Sequence, residues 1–332
     1  MADPADRPRG GRVGVYYPLQ PRDPRQLAPF ARLAAQHADR LWVGQSLTLD
    51  THQTLAYLLG QGISPALGVG LSLMPLAHPY QAAVAARSLA ALSGRPLTAV
   101  FGTGTPAFQR AMNGVPYDSP LKAAREYLTT VSRLLKGAPG EEREAGAAAT
   151  RLDPSLASVP AVETGLGVLR PGMARLAAEH ADVALTWMTP LSYVRDTLLQ
   201  VLDGGEPGPR VVSVVHVVLR RPGRDVARAV RLATGNHLSS PHYQRALAAA
   251  GLPLTGNDQD IAQKLVDHGV VLVGTADEIA SNVGRYWAVG IDEVVLNPCV
   301  LVAEGPAEAL RDLLEITAAC RVAAEPRMEE TP

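Results

Sequence analysis

Alternating strand-like and helix-like segments run through most of this chain, and they constrain its fold more than any other feature. The strand-like runs are short and apolar, as in Arg210–Leu219, which suits strands that are buried on both faces. The helix-like runs carry apolar residues on one face, as in Ser119–Leu135. About eight alternations favour a parallel α/β fold, and the length suits a single (β/α)8 TIM-type barrel with insertion segments. A doubly wound open sheet is the alternative.

The apolar spacing and the turn residues between segments divide the chain into predicted elements. Strands are predicted at Val13–Tyr17, Arg40–Val43, a run through Gly68 that ends at Met74, Leu97–Phe101, Val159–Leu169, Val183–Trp187, Arg210–Leu219 and Glu293–Leu296. Helices are predicted at Pro24–His37, Thr51–Leu59, Tyr80–Leu92, Ser119–Leu135, Pro171–His180, Leu191–Leu202, Asp225–Ala250 with a break at 239–241, Ala276–Val289 and Pro306–Cys320. The periodicity of Ile261–Val273 is ambiguous.

These elements form one predicted domain with less regular regions. Residues 1–11 are polar and rich in Pro, Arg and Gly, which predicts a disordered start. The barrel is predicted over residues 12–322, with excursions near 137–158 and 203–270, and residues 323–332 form a loose tail. Loops and insertions usually determine substrate specificity, so we expect the substrate contacts there.

The composition excludes several classes of function. A net charge of −1 without a basic run argues against nucleic-acid binding. Cys299 and Cys320 are far apart, so neither a disulfide framework nor a zinc site is expected. The histidines without metal-ligand spacing are His52, His216, His237 and His242. No apolar stretch is typical of a membrane span or of a signal peptide, which predicts a cytoplasmic protein without membrane contact.

One stretch, residues 68–79, has an unusual combination of glycine and proline. Pro75 and Pro79 each lack a backbone donor, which predicts a strand that ends at Met74, a short loop, and a helix that starts near Pro79. Gly68 and Gly70 allow another group to approach the backbone closely. A strand-to-helix turn with two glycines for packing is the alternative.

This stretch resembles the third strand and the following loop of the luciferase-like monooxygenase superfamily, whose members are flavin- or deazaflavin-dependent (β/α)8 barrels. The matching positions are Gly68, Gly70, Pro75, His78 and Pro79. The resemblance implies a non-proline cis peptide in a bulge under the isoalloxazine ring, at Gly70–Leu71. It also implies that Gly70, Leu71 and Ser72 bind the cofactor.

The segment Gly102-Thr103-Gly104 follows the fourth predicted strand. Alone, it is a strand-to-loop turn, and it lacks the continuation of a dinucleotide-binding motif. The superfamily has a similar segment here, which implies that these three residues bind the cofactor. Sugar-phosphate dehydrogenases of the deazaflavin branch carry an acidic residue directly after it, and this chain has Thr105. The departure argues against that activity.

Polar residues also follow the first two strands. Gln45 and Ser46 occupy positions that lie beside the ring in the superfamily, and they are expected to bind the cofactor or the substrate. Tyr16 and Tyr17 end the first strand, at the face where barrel active sites lie. We therefore consider Tyr16, Tyr17 and Ser46 as catalytic proton donors. A water molecule is the alternative proton source, and simple packing is the alternative role of the tyrosines.

The segment Arg170-Pro171-Gly172-Met173 precedes a predicted helix. Proline in the first turn of a helix with free N–H groups can form an anion site. The matching superfamily segment binds the cofactor phosphate, which implies this role for all four residues, with Arg170 as an additional cation. A routine helix N-terminus with a surface arginine is the alternative.

The resemblance implies a redox enzyme, and the chain also resembles the F-420-dependent reductase branch of actinobacterial natural-product pathways. We expect deazaflavin F-420 as the cofactor, with FMN as the alternative, and no metal. The expected reaction is hydride transfer to an activated C=C or C=N bond of a natural-product or peptide intermediate, such as dehydroalanine. The expected partners are a small-molecule or modified-peptide substrate, and a homodimer with a second copy of the chain is considered as well. An FMN-dependent monooxygenase and a non-catalytic flavin-binding or scaffold barrel are the alternatives.

Overall fold

Eight parallel strands close into a barrel in the computed structural model, which describes residues 11–136, 159–203 and 208–324. The strands are β1 Arg12–Tyr17, β2 Arg40–Val43, β3 Leu67–Leu73, β4 Leu97–Gly102, β5 Val162–Gly167, β6 Val183–Trp187, β7 Arg210–Leu219, β8 Val271–Gly274 and β9 Glu293–Pro298. Each of β1 to β5 pairs with the next strand, β6 pairs with β7, β7 with β9, and β9 with β1. The prediction of a TIM-type barrel is confirmed, because an open sheet would lack this closure.

The remaining strand, β8, lies outside the closed ring. Val217 of β7 pairs with Leu272 of β8 on one edge and with Pro298 of β9 on the other. β8 therefore continues along the edge of β7 that pairs with β6 nearer the N-terminal end of the strand. The ambiguous region is therefore a helix followed by this short strand. A capping box at Asn257 begins the helix, and Gly269, with φ +67°, follows its end.

The helices surround the barrel. They are α1 Ala28–His37, α2 Thr51–Gly60, α3 Pro79–Ser93, α4 Pro106–Asn113, α5 Pro120–Lys136, α6 Pro171–His180, α7 Leu191–Tyr193, α8 Leu199–Leu202, α9 Val226–Leu238, α10 Pro241–Ala249, α11 Asp258–Asp267, α12 Ala276–Ala288, α13 Val300–Ala303 and α14 Pro306–Ala324. A π turn, Val194–Leu198, joins α7 to α8, and short 3-10 helices occupy Pro24–Leu27 and Met74–Leu76.

Several predictions need correction at this level. Sequence patterns missed α4, which is short and lies between a Thr105 cap and Gly114. The fifth strand is shorter than predicted, and α14 continues to Ala324, so residues 323–324 are helical and do not belong to a loose tail. The predicted excursion at 203–270 contains β7 of the barrel and helices α9 to α11. The predicted excursion at 137–158, residues 1–10 and the rest of the tail lie outside the described residues.

Strand alternation produces two separate apolar layers. The barrel interior is a small cluster formed by Tyr16, Trp42, Val100, Val183, Leu185, Val212, Val214 and Val295. A much larger cluster lies between the outer faces of the strands and the helices. Within the described residues, no helix combines the length and the apolar character that crossing a bilayer requires.

Ion pairs close the end of the barrel where the strands begin. Arg210 forms a 2.7 Å ion pair with Glu163, and Glu293 lies 3.4 Å from Arg40 and 3.5 Å from Arg210. The indole N–H of Trp42 donates a 2.6 Å hydrogen bond to Glu293, which joins the ionic layer to the apolar interior. The acidic and basic groups inside the barrel are therefore paired at the end opposite the strand C-termini.

Candidate active site

Inward-facing positions near the C-terminal ends of the strands form a layer at the mouth of the barrel. Inward-facing residues recur at every second position, so each strand of the closed ring other than β3 contributes one residue at this level. That residue lies within one position of the strand end, except on β7, where it lies three positions before Leu219. We call this set the upper layer, and it consists of Tyr16, Gly44, Gly102, Gly167, Trp187, His216 and Asn297. The half formed by β2, β4 and β5 is glycine, and the half formed by β6, β7, β9 and β1 is polar or aromatic.

The third strand contributes a bulge in place of a single residue. The Gly70–Leu71 peptide is cis, as predicted, and the pairing with β4 shifts register between Gly70 and Ser72. Hydrogen bonds hold both carbonyls of the bulge: the Tyr16 hydroxyl donates to the Gly70 carbonyl at 3.2 Å, and the Gln45 N–H donates to the Leu71 carbonyl at 3.0 Å. The bulge is thus fixed from β1 and from the loop after β2.

The glycines of the upper layer make room for these contacts. A Cβ atom on Gly44 would lie 2.3 Å from the Tyr16 hydroxyl oxygen. Cβ atoms on Gly102 and Gly167 would lie 2.8 and 2.7 Å from Cδ1 of Leu71. The Leu71 side chain therefore fills the space that two strands leave open, and Tyr16 fills the space above the third glycine.

The glycines inside β3 have a different role from the predicted one. A Cβ atom on Gly68 would lie 2.4 Å from the Trp42 ring, and one on Gly70 would lie 3.1 to 3.4 Å from Trp42, Val100 and Leu185. The group that approaches the backbone closely here is thus the Trp42 indole of the barrel interior. Any contact of Gly70 with a cofactor has to use its backbone atoms.

The structure separates the three predicted catalytic residues. Tyr16 faces the interior, whereas Tyr17 packs edge-on against Phe30 of α1, with ring centroids 5.1 Å apart. Ser46 is buried, and its hydroxyl accepts hydrogen bonds from the Thr48 and Leu49 N–H groups at 3.2 Å. We correct the prediction accordingly: Tyr17 lies on the outer face of β1, Ser46 shapes its own loop, and Tyr16 alone reaches the upper layer.

A buried glutamine holds the predicted cofactor loop after β4. Gln109, 1% exposed on α4, donates 3.0 Å hydrogen bonds to the carbonyls of Thr103 and Gly104. Gly104 has φ +69°, which suits glycine, and the Thr105 hydroxyl accepts from the Phe108 N–H at the start of α4. Sequence reasoning missed Gln109 because it missed α4.

The predicted phosphate segment is the N-terminus of α6. Pro171 has no N–H, and the Met173 N–H donates to the Arg170 carbonyl at 3.1 Å, which leaves Gly172 as the first free donor position of the helix. The Arg170 guanidinium lies 3.1 Å from Nδ1 of His242 on α10. Burial and the charges of Arg170 and Arg245 lower the pKa of His242, so its neutral ring accepts this hydrogen bond.

An aromatic cluster that sequence reasoning missed covers the polar half of the upper layer. The Trp187 ring lies 5.0 Å from Tyr16, 5.3 Å from His216 and 5.2 Å from His237, measured between centroids. The ring of Tyr243, on α10, lies 5.2 Å from His237. Trp187 and His216 could have been found from their spacing, because each follows an inward-facing apolar residue by two positions.

Burial determines the protonation states in this cluster. It raises the pKa of Tyr16, which therefore stays a neutral phenol. Burial and the neighbouring His237 lower the pKa of His216 to about 3, so this imidazole is uncharged at neutral pH. The upper layer contains no carboxylate, and the described residues contain no cluster of three His, Cys, Asp or Glu that could hold a metal.

The family of the chain follows from its sequence and agrees with this geometry. The sequence model described as luciferase-like monooxygenase matches residues 10–293, which include β1 to β8. The chain belongs to the luciferase-like monooxygenase family. The resemblance that we inferred from residues 68–79 is therefore confirmed, and with it membership of a family of oxidoreductases. No curated protein matches the chain.

Solved structures of other luciferase-like proteins share the fold at low identity. The coenzyme F-420-dependent tetrahydromethanopterin reductase from Methanopyrus kandleri has a TM-score of 0.72 at 16% identity, covering 95% of this chain and 100% of that one. An F-420-dependent secondary alcohol dehydrogenase in complex with an F-420–acetone adduct has a TM-score of 0.71 at 14% identity, covering 94% and 99%. The oxygenating constituent of 3,6-diketocamphane monooxygenase from Pseudomonas putida, in complex with FMN, has a TM-score of 0.65 at 14% identity, covering 94% of this chain and 98% of that one.

The luciferase-like mouth offers groups that suit a deazaflavin or a flavin. The indole N–H of Trp187 and Nδ1 of His216 are buried without a hydrogen-bond partner in the described part of the chain. Arg170 adds a cation beside the first turn of α6, where a phosphate is favoured. An open cleft of about 550 Å3 lies between α9 and α11, and its lining includes no residue of the upper layer.

Proposed function

We propose that this luciferase-like protein is an F-420-dependent reductase that transfers hydride to an activated C=C or C=N bond of a natural-product or peptide intermediate. The observation that carries the proposal is the chemistry of the upper layer, which combines neutral N–H and O–H donors with no carboxylate. Oxidation of an alcohol needs a base to remove the hydroxyl proton, and His216, with a pKa of about 3, is too weak for that. Addition of hydride to an activated double bond needs hydrogen-bond donors for the developing negative charge.

The chain's own residues have distinct roles in this proposal. The Arg170 guanidinium and the first turn of α6 bind the cofactor phosphate. The bulge at Gly70-Leu71-Ser72, held by Tyr16, supports the ring with its backbone atoms. When bound, a reduced deazaflavin supplies the hydride. Tyr16 keeps its proton at neutral pH and serves as a weak proton source beside the reacting bond.

The other residues predicted to bind the cofactor also contribute to this proposal, some of them in a different way from the predicted one. Gln45 acts through its backbone N–H on the bulge, since its side-chain amide donates to the Ser46 carbonyl at 3.0 Å. Thr103 and Gly104 border the ring, and Gln109 keeps their loop in place. Together these groups position the ring against the acceptor carbon, which is the main requirement of hydride transfer.

An FMN-dependent monooxygenase is the second candidate. The observation in its favour is the fold shared with the FMN-bound 3,6-diketocamphane monooxygenase component. An upper layer without a carboxylate is compatible with this chemistry as well. The two candidates differ in cofactor affinity and in the need for oxygen, and both differences can be measured.

Cofactor binding separates the candidates first. Purified protein is titrated with F-420 and with FMN in parallel, followed by ligand fluorescence. We expect tighter binding of F-420. In an anaerobic second step, protein, reduced F-420 and a dehydroalanine-containing peptide are mixed, and we expect F-420 reoxidation together with the gain of two hydrogens by the peptide. Oxygen-dependent turnover with FMN and none with F-420 would overturn the proposal, and binding of either cofactor without turnover on a substrate panel would favour a scaffold.

A further inference from the structure

Three buried polar atoms of the upper layer have no hydrogen-bond partner among the residues that the structure describes. They are Nε1 of Trp187, Nδ1 of His216 and Oδ1 of Asn297. His216 is 0% exposed and Asn297 is 2% exposed. A buried donor or acceptor without a partner is costly, so such groups in one place indicate that a bound molecule completes them.

The three residues form one continuous patch on the inner wall. Trp187 pairs in register with Val214 of β7, and His216 is the next inward-facing residue of that strand. His216 in turn pairs in register with Asn297 of β9. The Trp187 and His216 rings are in edge contact at 5.3 Å, so the patch has no gap between β6 and β9.

The hydrogen bond inside the patch determines which atoms are donors. Nδ2 of Asn297 donates to Nε2 of His216 at 3.0 Å, so the neutral imidazole carries its proton on Nδ1. The patch therefore offers two N–H donors, from Trp187 and His216, and one carbonyl acceptor, from Asn297. It has no charge, and burial keeps the His216 ring neutral.

We propose that Trp187, His216 and Asn297 form a substrate subsite for an uncharged amide or ketone group conjugated to the bond that is reduced. The inference rests on the proposed function and deepens it, because it specifies the class of substrate. The two N–H groups fit a carbonyl oxygen, and Oδ1 of Asn297 fits an amide N–H. A carboxylate or phosphate would be buried here without a countercharge, which is strongly unfavourable.

The subsite has a defined part in the reaction. Hydride adds to the β-carbon of a C=C–C=O group, and the π electrons move to the carbonyl oxygen to give an enolate. The N–H groups of Trp187 and His216 stabilise this oxygen more strongly than the neutral carbonyl, because it carries more negative charge. A proton from Tyr16, which solvent replaces, then adds to the α-carbon, so the substrate gains two hydrogens while the reduced deazaflavin is oxidised.

The α9–α10 segment borders the subsite. His237 lies against Trp187, and Tyr243 lies against His237. The cavity between Trp187, Tyr243 and Leu247 has a volume of about 10 Å3, close to that of a single water probe. Helix α10 therefore leaves little space beside Trp187 at this edge of the patch.

The test uses the full chain with 15N-labelled tryptophan and has a readout that is independent of turnover. The chain contains three tryptophans, and the Trp187 indole signal is identified by its loss in Trp187→Phe. The protein, with and without oxidised F-420, is titrated with neutral 2-acetamidoacrylamide and with the matching carboxylate, 2-acetamidoacrylate. We expect the Trp187 indole N–H resonance to shift with the amide, and the carboxylate to bind at least about tenfold more weakly.

Two variants test whether His216 is responsible for the preference for the amide. His216→Phe keeps an aromatic ring of similar size and removes the Nδ1 donor, so we expect amide affinity to fall by about fivefold to tenfold. His180→Phe is the matched control, because His180 is exposed at the C-terminal end of α6, away from the mouth. If His216→Phe does not fold, the comparison of amide with carboxylate on the unmodified protein decides by itself.

The possible outcomes separate this inference from the proposed function. Equal affinity for amide and carboxylate, or no response of the Trp187 resonance in either arm, would overturn the subsite even if F-420 turnover occurs. Amide-selective binding at Trp187 without F-420 turnover would support the subsite and reject the proposed reaction.

Discussion

The hydroxyl of Tyr16 donates a 3.2 Å hydrogen bond to the carbonyl of Gly70, 54 residues further along the chain. This bond crosses the mouth of the barrel from β1 to β3 and passes over Gly44, where any side chain would collide with the hydroxyl. It joins the only predicted catalytic residue that faces the interior to the bulge predicted to hold the cofactor ring. Binding and catalysis at this mouth should therefore be coupled through Tyr16.

Removing this hydroxyl gives the first prediction. Tyr16→Phe removes this hydrogen bond and leaves the buried Gly70 carbonyl without that donor, so we expect the free energy of unfolding to fall by about 1–2 kcal/mol. Cofactor affinity should fall as well, because the bulge loses one of its two restraints. Tyr17→Phe is the control, since that ring packs on Phe30 outside the barrel. Urea unfolding and cofactor titration of both variants provide the test, and equal effects of the two would contradict it.

The second prediction concerns the phosphate site at α6. Arg170→Gln removes the cation beside the helix N-terminus, and we expect cofactor affinity to fall about tenfold or more, as for the loss of a charge-assisted hydrogen bond. Arg175→Gln removes an exposed charge from the same helix and should change affinity less than about twofold. Titrations at two salt concentrations should show a weaker salt dependence for Arg170→Gln. If both variants bind like the unmodified protein, Arg170 does not belong to the site.

The third prediction tests the space shared by Leu71 and its glycine neighbours. In Gly167→Ala the new Cβ would lie 2.7 Å from Leu71 Cδ1, so the Leu71 side chain must move, and we expect a loss of about 1–3 kcal/mol in unfolding free energy. The same change in a Leu71→Ala background should cost at least about 1 kcal/mol less, because the obstacle is gone. Gly60→Ala is the control, since its Cβ would meet nothing within 4 Å.

A double-mutant cycle by urea unfolding measures this coupling. An interaction free energy near zero between positions 71 and 167 would show that the side chain of Leu71 does not occupy this space in solution. Cofactor titration of Gly167→Ala then reports whether moving Leu71 also disturbs the ring seat. We expect weaker binding, because the same residue forms the bulge.

The fourth prediction is a pH dependence that arises at the closed end of the barrel. Burial by itself would raise the pKa of Glu163, but hydrogen bonds from Arg210 and Thr98 and the charges of Arg210 and Arg40 outweigh it, so the pKa lies below its ordinary value of 4.5. Stability from such a group is complete above the unfolded-state pKa and is lost as the pH falls through the folded-state pKa. The free energy of unfolding should therefore decrease below about pH 4.5.

Glu163→Gln tests this assignment. The variant should be less stable than the unmodified protein at neutral pH, and its stability should fall less between about pH 5 and about pH 3. Glu126→Gln removes an exposed carboxylate with a 3.9 Å partner on the same helix and should leave the slope nearly unchanged. Parallel pH profiles for all three proteins would exclude Glu163 as the source of the dependence.

Much of the fold could be predicted from local patterns. Arg40–Val43, Pro171–His180, Val183–Trp187 and Arg210–Leu219 match the observed elements residue for residue, because apolar period, caps and prolines act over a few neighbouring positions. The cis peptide at Gly70–Leu71 was predicted from the family pattern of the surrounding glycines and prolines. The short polar helix α4 was not predicted, and neither was the division of residues 261–273 into a helix and a strand. The local sequence signals there are weak, so tertiary packing decides which structure forms.

The candidate site was only partly predictable. The sequence by itself determined most of the element types, favoured the barrel over an open sheet and indicated several segments that reach the mouth, because these follow from backbone preferences and from the alternation of side chains along each strand. Only the tertiary structure decided that Trp42 fills the space over Gly68, that Leu71 lies between Gly102 and Gly167, and that Tyr17 faces α1. Those contacts join strands that are distant in sequence, so they depend on register and closure of the whole barrel, which no local pattern encodes.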